Sequence, residues 1–353
     1  MLDLLEEVCS VAVESGAEDI YLKAGNPPRV RLDGVVREFE QEVTAEQMEI
    51  FWALCGAAES TNTEADVAWK SATGERFRVN CFKSMGVLCA VLRPLRENTK
   101  SLADLGLPEE KFHEWLTRRS GLVLVTGATG SGKSTSLSSA LKWIAENMAK
   151  HIVTVEDPIE YLLRSDQSLV SQRQVGVDTQ SFSTGLRAAL RQSPDIIFVG
   201  EIRDSETART ALHACETGHL VVSTLHSATV PETVERLVSV FPHDEREASL
   251  GVLSKQLIGI MCQKLVPKEG GGLCLLMEHM EFGGAIKKWV QEGELHKIAE
   301  FHQTGQSKEN LRFIDSIMHM YKHGIISEET GRGSCEDPDE FDRFMLGVDS
   351  GSR

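Results

Sequence analysis

The sequence predicts an α/β protein in which a small α+β domain precedes a larger, mainly parallel α/β domain that ends in a helical region. Three observations lead to this prediction. Apolar and polar residues alternate near the N-terminus between turn residues, as in an antiparallel sheet. Farther along, apolar strand-like runs alternate with helical stretches, which is typical of a parallel sheet. A glycine-rich segment at 127–134 lies between one such run and a helix.

The chain divides into four predicted parts where these patterns change. They are an N-terminal domain at 1–98, a linker at 99–110, an α/β core at 111–272, and a helical region with an acidic tail at 273–353. In the first part we expect an amphipathic helix, a hairpin closed at Asp33-Gly34 and a small antiparallel sheet. Core strands are predicted at 122–126, 152–155, 196–199 and 220–223, and later helices at 285–290, 294–301 and 313–323.

The composition is that of a globular protein, with 41% hydrophobic and 25% charged residues. No apolar run approaches the ~20 residues that span a bilayer. The acidic start, MLDLLEEVCS, differs from the basic start of a signal peptide, so we expect a cytoplasmic protein. A net charge of −16 argues against direct nucleic-acid binding. The eight cysteines include no C-x-x-C pair, which favours reduced, buried thiols over a zinc site or disulfides.

The segment GATGSGKS at 127–134 matches the phosphate-binding pattern G-x-x-x-x-G-K-[ST]. Its backbone N–H groups would surround a polyphosphate, Lys133 would reach the β and γ phosphates, and Ser134 would bind Mg²⁺. The residues predicted to bind the nucleotide are Gly127, Ala128, Thr129, Gly130, Ser131, Gly132, Lys133, Ser134 and Thr135. The sequence therefore predicts a chain that binds a nucleoside triphosphate.

Acidic side chains follow two of the predicted strands. Glu156, Asp157 and Glu160 follow the strand at 152–155. Because ligands of open α/β sheets lie beyond the carboxyl ends of the strands, we expect a general base among them and prefer Glu160. A solvated acidic turn or a helix N-cap is the alternative. Glu201 follows the strand at 196–199. An acidic residue in this position, after a buried strand downstream of a phosphate loop, is typical of a carboxylate that reaches Mg²⁺ through water.

Two histidines bracket the strand predicted at 220–223. His226 would lie near the carboxyl end of this strand, where it could contact the γ-phosphate or the attacking water. His219 is a second candidate catalytic residue. A structural role is the alternative for both, and a metal site is not expected because no third ligand has a suitable spacing.

Four segments together resemble the Walker A, Asp, Walker B and His boxes of the bacterial secretion ATPase superfamily: TGATGSGKST, TVEDPIEYL, SPDIIFVGEIRD and TGHLVVSTLHS. Within it, the chain is most similar to the type IV pilus retraction motors, the PilT and PilU group. The segment SGAEDIYLKAGNPPRVRLDG resembles the start of their N-terminal PAS-like domain, and RFRVNCF resembles a later strand of that domain. The resemblance extends to about Gly324.

This resemblance implies a PAS-like α+β domain followed by a RecA-like P-loop ATPase domain with a C-terminal helical region. It also implies a homo-hexameric motor that hydrolyses ATP with Mg²⁺ and drives pilus retraction and twitching motility. Glu160 would be the base, Glu201 would act on the metal through water, and Arg78 and Arg93 would stabilise transition-state charge. The implied partners are an inner-membrane platform protein and a paralogous retraction ATPase, with the chain peripheral to the membrane.

The chain departs from the retraction ATPase pattern A-I-R-N-L-I-R-E at 285–292, where Lys287 and Gln291 replace the two arginines. Lysine lacks the planar fork that pairs bidentately, so this change favours an accessory, PilU-like role. A nucleotide-responsive module that hydrolyses little itself is one alternative, and a secretion ATPase of the same superfamily is another. The four-cysteine insertion that is typical of pilus-extension and type II secretion ATPases does not occur here, which disfavours extension.

Overall fold

The computed structural model describes residues 3–32, 34–57, 64–95, 99–305, 307 and 309–347. The chain forms two compact units. The first contains Met1–Asn98 together with the short segment Pro158–Leu162, and the second contains Thr99–Asp157 and Leu163–Arg353. The finer division of the sequence into four parts stays a prediction.

The first unit is built on a six-stranded antiparallel sheet in the order β3-β2-β1-β6-β5-β4. Its elements are α1 (Asp3–Glu14), β1 (Asp19–Lys23), β2 (Arg29–Leu32), β3 (Val35–Glu38), α2 (Ala45–Leu54), β4 (Glu64–Lys70), β5 (Arg76–Ser84) and β6 (Val87–Pro94). The antiparallel sheet and the N-terminal helix are therefore confirmed. The β2-β3 hairpin forms as predicted, with Leu32 opposite Val35, while Asp33 in its turn lies outside the described residues.

Alternation along the strands decides which face of this sheet is buried. Ile20 and Leu22 of β1 and Phe77 and Val79 of β5 are buried with apolar side chains of α1 and α2. The residues between them in β5, among them Arg78, are only partly buried. Since side chains of a strand alternate between faces, the second face of the sheet carries the polar and charged groups.

The second unit contains a seven-stranded sheet in the order β13-β12-β7-β11-β10-β8-β9. Its strands are β7 (Gly121–Thr126), β8 (His151–Glu156), β9 (Leu169–Gln174), β10 (Ile196–Val199), β11 (Leu220–Leu225), β12 (Leu257–Pro267) and β13 (Leu273–Glu281). Neighbouring strands from β12 through β9 pair in parallel, and β13 pairs antiparallel with β12. The carboxyl ends of β7, β8, β10 and β11 therefore meet at one edge of the sheet.

The four core strands predicted from the sequence are confirmed, but β9, β12 and β13 were missed. The region predicted to be helical from residue 273 onward instead begins with β13, which completes the sheet. Seven consecutive residues of β13 are buried, so this strand has no polar–apolar alternation by which it could be recognised. A run of glycines at 270–272 in the left-handed region turns the chain from β12 into β13.

Helices cover both faces of this sheet. They are α3 (Glu109–Leu116), α4 (Lys133–Asn147), α5 (Phe182–Ala189), α6 (Ser205–Glu216), α7 (Val230–Ser239), α8 (Arg246–Gln256), α9 (Gly284–Glu292), α10 (Leu295–Thr304), α11 (Phe313–Lys322), α12 (Glu328–Ser334) and α13 (Pro338–Met345). Alternate residues of β7 enter two separate apolar cores, Leu122 and Leu124 in one and Val123 and Val125 in the other. The three predicted later helices are confirmed as α9, α10 and α11.

The first part of the acidic tail, predicted at 336–353, is helical, since α13 lies within it. Residues 348–353 lie outside the described residues. In the part of the chain that the structure covers, every helix is too short or too polar to cross a bilayer.

His279 on β13 makes the stability of this unit depend on pH. Burial of the ring, followed by the charge of Lys111, lowers its pKa from 6.5 to about 4. Its Nδ1 is buried without a hydrogen-bond partner among the described residues. Because the folded pKa lies below the unfolded one, the unfolded chain binds the proton more readily. This contribution to stability is full above pH ~6.5 and is lost as the pH falls toward 4, by up to about 3 kcal/mol.

We therefore expect the free energy of unfolding to fall less steeply between pH 6.5 and 4 in a His279→Gln variant than in the parent protein. Denaturant unfolding at a series of pH values measures this slope. His319→Gln is the matched control, because that imidazole is exposed. Equal slopes for His279→Gln and the parent would contradict the prediction.

Candidate functional site

The phosphate loop follows β7, all six of whose residues are buried, and it ends where α4 begins at Lys133. Gly127, Gly130 and Gly132 have φ values of +145°, +80° and +90°, which side-chain-bearing residues rarely adopt. A Cβ on Gly127 would lie 2.4 Å from the carbonyl oxygen of Gln263. The loop therefore turns tightly against β12, and only glycine fits at its first position.

A buried lysine, a buried hydroxyl group and the start of a helix suit this loop to a polyphosphate. Lys133 is 9% exposed, and its Nζ donates to the carbonyl oxygens of Gly127 and Ala128 at 2.8 and 2.9 Å. The Oγ atom of Ser131 is buried and has no partner among the described residues. Gly132, the N-cap of α4, makes no side-chain capping bond, and the positive end of the helix dipole lies at this loop, where it favours an anion.

Glu201 lies beyond the carboxyl end of β10, after Gly200. Its Oε1 is 2.8 Å from Nε of Arg203 and 3.6 Å from Nε2 of His226. Partial burial opposes ionisation of this carboxyl group, but the hydrogen bond and charge of Arg203, with His226 and Lys133, outweigh it and lower the pKa. Glu201 is therefore an ionised carboxylate within electrostatic range of the phosphate-loop lysine.

His226 follows β11 directly, and β11 pairs with β7 so that Leu225 lies opposite Thr126. This register places His226 at the same edge of the sheet as the start of the phosphate loop. Two hydroxyl groups tie β11 to the end of β10: Ser223 Oγ donates to Val199 O at 2.7 Å, and Thr224 Oγ1 to Gly200 O at 2.6 Å. The strand ends that carry Glu201 and His226 are thereby held in a fixed relation.

His219 lies at the opposite end of β11 from His226, which corrects its prediction as a catalytic residue beside His226. Its carbonyl accepts from Gly121, the first residue of β7, and its Nδ1 contacts Ala214 O at 3.0 Å. The intervening strand β11 is extended over six residues and so separates the two histidines by roughly 20 Å. We leave His219 out of the proposed site.

The three acidic residues at the end of β8 and just after it have different environments. Glu156 is buried, and its Oε1 accepts from Thr154 Oγ1 at 2.6 Å and from Gln172 Nε2 at 3.1 Å. This carboxyl group is therefore engaged within the sheet. Asp157 is exposed at the strand end. Glu160 is also exposed, in the segment Pro158–Leu162 that belongs to the first compact unit.

Arg78 and Arg93 lie directly opposite each other on β5 and β6 of the first unit. Each has an acidic neighbour in that unit. Nε of Arg93 donates to Asp19 Oδ1 at 2.9 Å, and Arg78 is 3.7 Å from Asp66. Both guanidinium groups are substantially exposed, at 64% for Arg93 and 40% for Arg78. They form an adjacent pair of cations on the polar face of the sheet.

Arg236 on α7 is a candidate that the sequence did not reveal. It shares a cavity of about 430 Å³ with Glu201, Arg203 and His226. It is exposed, and among the described residues it has no ion-pair partner. Its charge alone does not distinguish it from other surface arginines, and only the packing of α7 beside the end of β11 brings it to this cavity.

The described residues hold no group of three or more His, Cys, Asp or Glu side chains that could bind a metal by themselves. Magnesium is commonly held by one or two protein oxygens together with water and the phosphates of a substrate. Ser134, in the first turn of α4, and Glu201 supply donors of this kind. The site therefore fits a magnesium ion that arrives with a nucleotide.

Comparisons with known proteins agree on one family. The family model described as Type II/IV secretion system protein matches residues 1–307. The Type IV pilus retractation ATPase PilT of Pseudomonas aeruginosa is 37% identical over 344 residues, which is 96% of this chain and 99% of that protein. The Type IV pilus ATPase PilU of the same organism is 32% identical over 361 residues, covering 98% and 92%. A crystal structure of the pilus retraction motor PilT with bound ADP aligns with a TM-score of 0.85 at 39% identity, covering 96% of this chain and 98% of that one.

Proposed function

The chain belongs to the Type II/IV secretion system protein family, and from this membership we propose that it is a cytoplasmic, ATP-hydrolysing motor that drives type IV pilus retraction and twitching motility. The resemblance to the PilT and PilU group is confirmed by both relatives and by the PilT crystal structure. The observation that carries the proposal is the meeting, at one sheet edge, of the phosphate loop, ionised Glu201 and His226.

The proposed chemistry assigns a role to each residue of the second unit. Lys133 and the loop N–H groups bind the β and γ phosphates of ATP. Ser134, and Glu201 through a water molecule, would hold a Mg²⁺ ion, which when bound would supply positive charge to neutralise the transferred phosphoryl group. His226, 3.6 Å from Glu201, orients that carboxylate and contacts the γ-phosphate or the attacking water.

The roles of residues in the first unit are proposed from the family resemblance and not from their distances to the phosphate loop. We propose that Glu160 takes the proton of the water that attacks the γ-phosphorus, while the bond to the ADP oxygen breaks. Arg78 and Arg93 stabilise the negative charge of the transition state. The motor is proposed to work as a homo-hexamer on an inner-membrane platform protein, peripheral to the membrane and alongside a paralogous retraction ATPase.

Purified protein is expected to hydrolyse ATP in a magnesium-dependent manner, and Lys133→Ala is expected to lower turnover at least about tenfold, because a cation is removed from the phosphates. Phosphate release at saturating ATP is the measurement. Lys322→Ala, an exposed lysine at the end of α11, is the matched control. If Lys133→Ala turned over ATP as fast as the parent protein, the proposal of ATP hydrolysis at this site would be wrong.

A second candidate is an accessory module whose own hydrolysis is not needed. The observation that favours it is the composition of α9, where Lys287 Nζ donates to the Lys255 carbonyl at 3.2 Å and Gln291 is exposed. A Glu201→Gln chain, which is expected to keep nucleotide binding and lose hydrolysis, separates the two candidates in cells that lack the parent gene. Full restoration of twitching by that chain would favour the accessory module, and failure to restore it favours the motor.

A further inference from the structure

A buried carboxyl group, Glu278 on β13, lies between two helices of the second unit. The Glu278 side chain is 6% exposed, and its Oε1 accepts the backbone N–H of Val230 at 2.5 Å. Its Oε2 is 3.2 Å from Nε2 of His302, whose side chain is also 6% exposed. Neither residue belongs to the phosphate loop or to the Glu201 cluster. The pair therefore needs an explanation of its own.

Val230 is the first residue of α7, and α7 begins four residues after His226. A carboxylate at a helix N-terminus pairs with an otherwise free N–H and interacts favourably with the helix dipole. Thr229 caps the next available N–H, that of Glu232, with its own side chain. Residues 226–229, here called the His226 segment, connect β11 to α7. Glu278 therefore fixes the point at which the chain leaves this segment and enters α7.

His302 on α10 holds Glu278 in place. The other ring nitrogen of His302, Nδ1, is buried and has no hydrogen-bond partner among the described residues. The bond to Glu278 therefore orients the ring, and the ring in turn orients the carboxyl group. Because α10 follows α9 directly in the chain, this bond joins the C-terminal helices to the start of α7.

Buried hydrogen bonds continue from α7 to the strand that precedes the phosphate loop. The hydroxyl oxygen of Thr233, one turn into α7, lies 2.6 Å from Ser227 Oγ and 3.2 Å from Thr126 Oγ1. Thr126, the last residue of β7, lies 2.8 Å from the sulfur of Cys262. Cys262 is the cross-strand neighbour of Glu278. Hydrogen bonds thus join His302 to Glu278 and Glu278 to the first residue of α7, and a second group of bonds joins Thr233 of the same helix to Ser227 and to Thr126 at the end of β7.

We propose that Glu278 is a positioning residue for ATP hydrolysis, which sets the His226 segment relative to the phosphate loop, and that His302 sets Glu278 from α10. The inference rests on the proposed function for its kinetic consequence. It also assigns a route by which displacement of α9 and α10 reaches the nucleotide site, because α9 packs on α10, α10 packs on α7, and His302 of α10 bonds to Glu278 at the start of α7.

Removal of one partner of a buried polar pair also destabilises a protein. The test must therefore distinguish misplacement of the His226 segment from a loss of folding stability. His302→Leu removes the donor at similar volume, and His302→Gln restores a donor on a side chain of similar reach. Glu278→Gln keeps an acceptor oxygen for Val230 while it removes the charge. Ser327→Ala, which removes the N-cap of α12 in the same unit, is the control for a lost cap remote from the site.

We expect His302→Leu and Glu278→Gln to lower kcat by about tenfold with KM changed less than about twofold, as for residues that orient a reacting group. His302→Gln is expected to recover most of the loss, and Ser327→Ala to retain the parent kcat. Hydrogen exchange of the 227–230 amides in the full chain is expected to accelerate in His302→Leu and Glu278→Gln alone.

Unchanged kcat and unchanged exchange at 227–230 in folded His302→Leu would overturn the inference. An equal fall in kcat for Ser327→Ala would also overturn the inference, because loss of stability alone would then account for the lower kcat of the Glu278 and His302 variants. If the parent protein does not hydrolyse ATP, the proposed function fails, and the exchange rates still decide whether Glu278 fixes the His226 segment. If Glu278→Gln does not fold, the two His302 variants carry the same decision.

Discussion

Glu201→Gln is expected to lower the rate of ATP hydrolysis by on the order of 10²–10³-fold while it leaves nucleotide affinity within about threefold of the parent value. Glutamine has nearly the same shape as glutamate and keeps one oxygen for Arg203, so the loop and its pocket are preserved. What it lacks is the charge. The lowered pKa of Glu201 shows that its surroundings, Arg203 above all, are arranged to keep that charge at neutral pH.

In the proposed function, a negative side chain at this position would hold Mg²⁺ through a water molecule, and the charge supplied there would matter more in the transition state than in the ground state. Its loss should therefore appear in kcat and in kcat/KM together, and little in the ground-state affinity. Phosphate release and titration with a fluorescent nucleotide measure the two quantities separately. Glu206→Gln is the matched control, because Glu206 lies in the first turn of α6 and pairs with Arg187 at the surface.

Two outcomes would contradict this role for Glu201. The first is a turnover by Glu201→Gln that matches the parent. The second is a loss of nucleotide affinity as large as the loss of turnover, because this would place the carboxylate in ground-state binding instead. A variant that binds nucleotide without hydrolysing it would in addition hold any ring that the chain forms in its nucleotide-bound state.

Local patterns predicted the phosphate loop because all of its functional groups lie within eight consecutive residues. The φ values of its glycines and the burial of Lys133 follow from the strand–loop–helix connection itself. Glu201 was predictable for a related reason. A carboxylate placed just after a buried strand in a parallel sheet lies at the edge where ligands bind, whatever the neighbouring strands are.

The two histidines show where such reasoning fails. They flank one strand, so only one of them can lie at the ligand edge, and the choice depends on strand direction and length. Because β11 extends to Leu225, His226 is at that edge and His219 is at the other. The direction of a parallel strand after a phosphate loop could have excluded His219 from the start.

Glu278, His302 and Arg236 could not have been found from spacing. Glu278 meets Val230 across 48 residues and His302 across 24, so both contacts exist only after β13 and α10 have packed. The strand that carries Glu278 was itself missed, because its unbroken burial has no period of two. Contacts that couple distant segments are set by tertiary packing, and sequence patterns report mainly on local structure.

Gly127→Ala is expected to reduce nucleotide affinity by on the order of 100-fold or more, with a loss of stability as well. A Cβ at this position would lie 2.4 Å from the carbonyl oxygen of Gln263 and 2.5 Å from Ser131 Oγ. The backbone φ of +145° is in addition one that alanine rarely adopts. The carbonyl belongs to β12, which pairs with β7 up to Cys262 and with β13 from Gly259 to Pro267, so it cannot move aside without disturbing the sheet.

The loop must therefore move instead, and with it the N–H groups that face the phosphates and the oxygen atoms that hold Lys133. Gly130→Ala separates strain from collision, because φ there is +80° but an added Cβ meets nothing within 4 Å. Strain alone costs roughly 1–2 kcal/mol, so Gly130→Ala should weaken binding by on the order of tenfold. Gly218→Ala has a similar φ, +99°, remote from the loop, and should lower only the unfolding temperature.

Titration with a fluorescent nucleotide and thermal unfolding measure the nucleotide affinity and the unfolding temperature of the three alanine variants. If Gly127→Ala bound nucleotide as tightly as Gly130→Ala, the contact with Gln263 would not constrain the loop. The close approach of β12 would then have no part in shaping the phosphate site. A larger loss at Gly127 means that the sheet beneath the loop, as well as the loop sequence, sets the geometry that grips the nucleotide. Movements transmitted to β12 and β13 from the C-terminal helices would then act directly on phosphate binding.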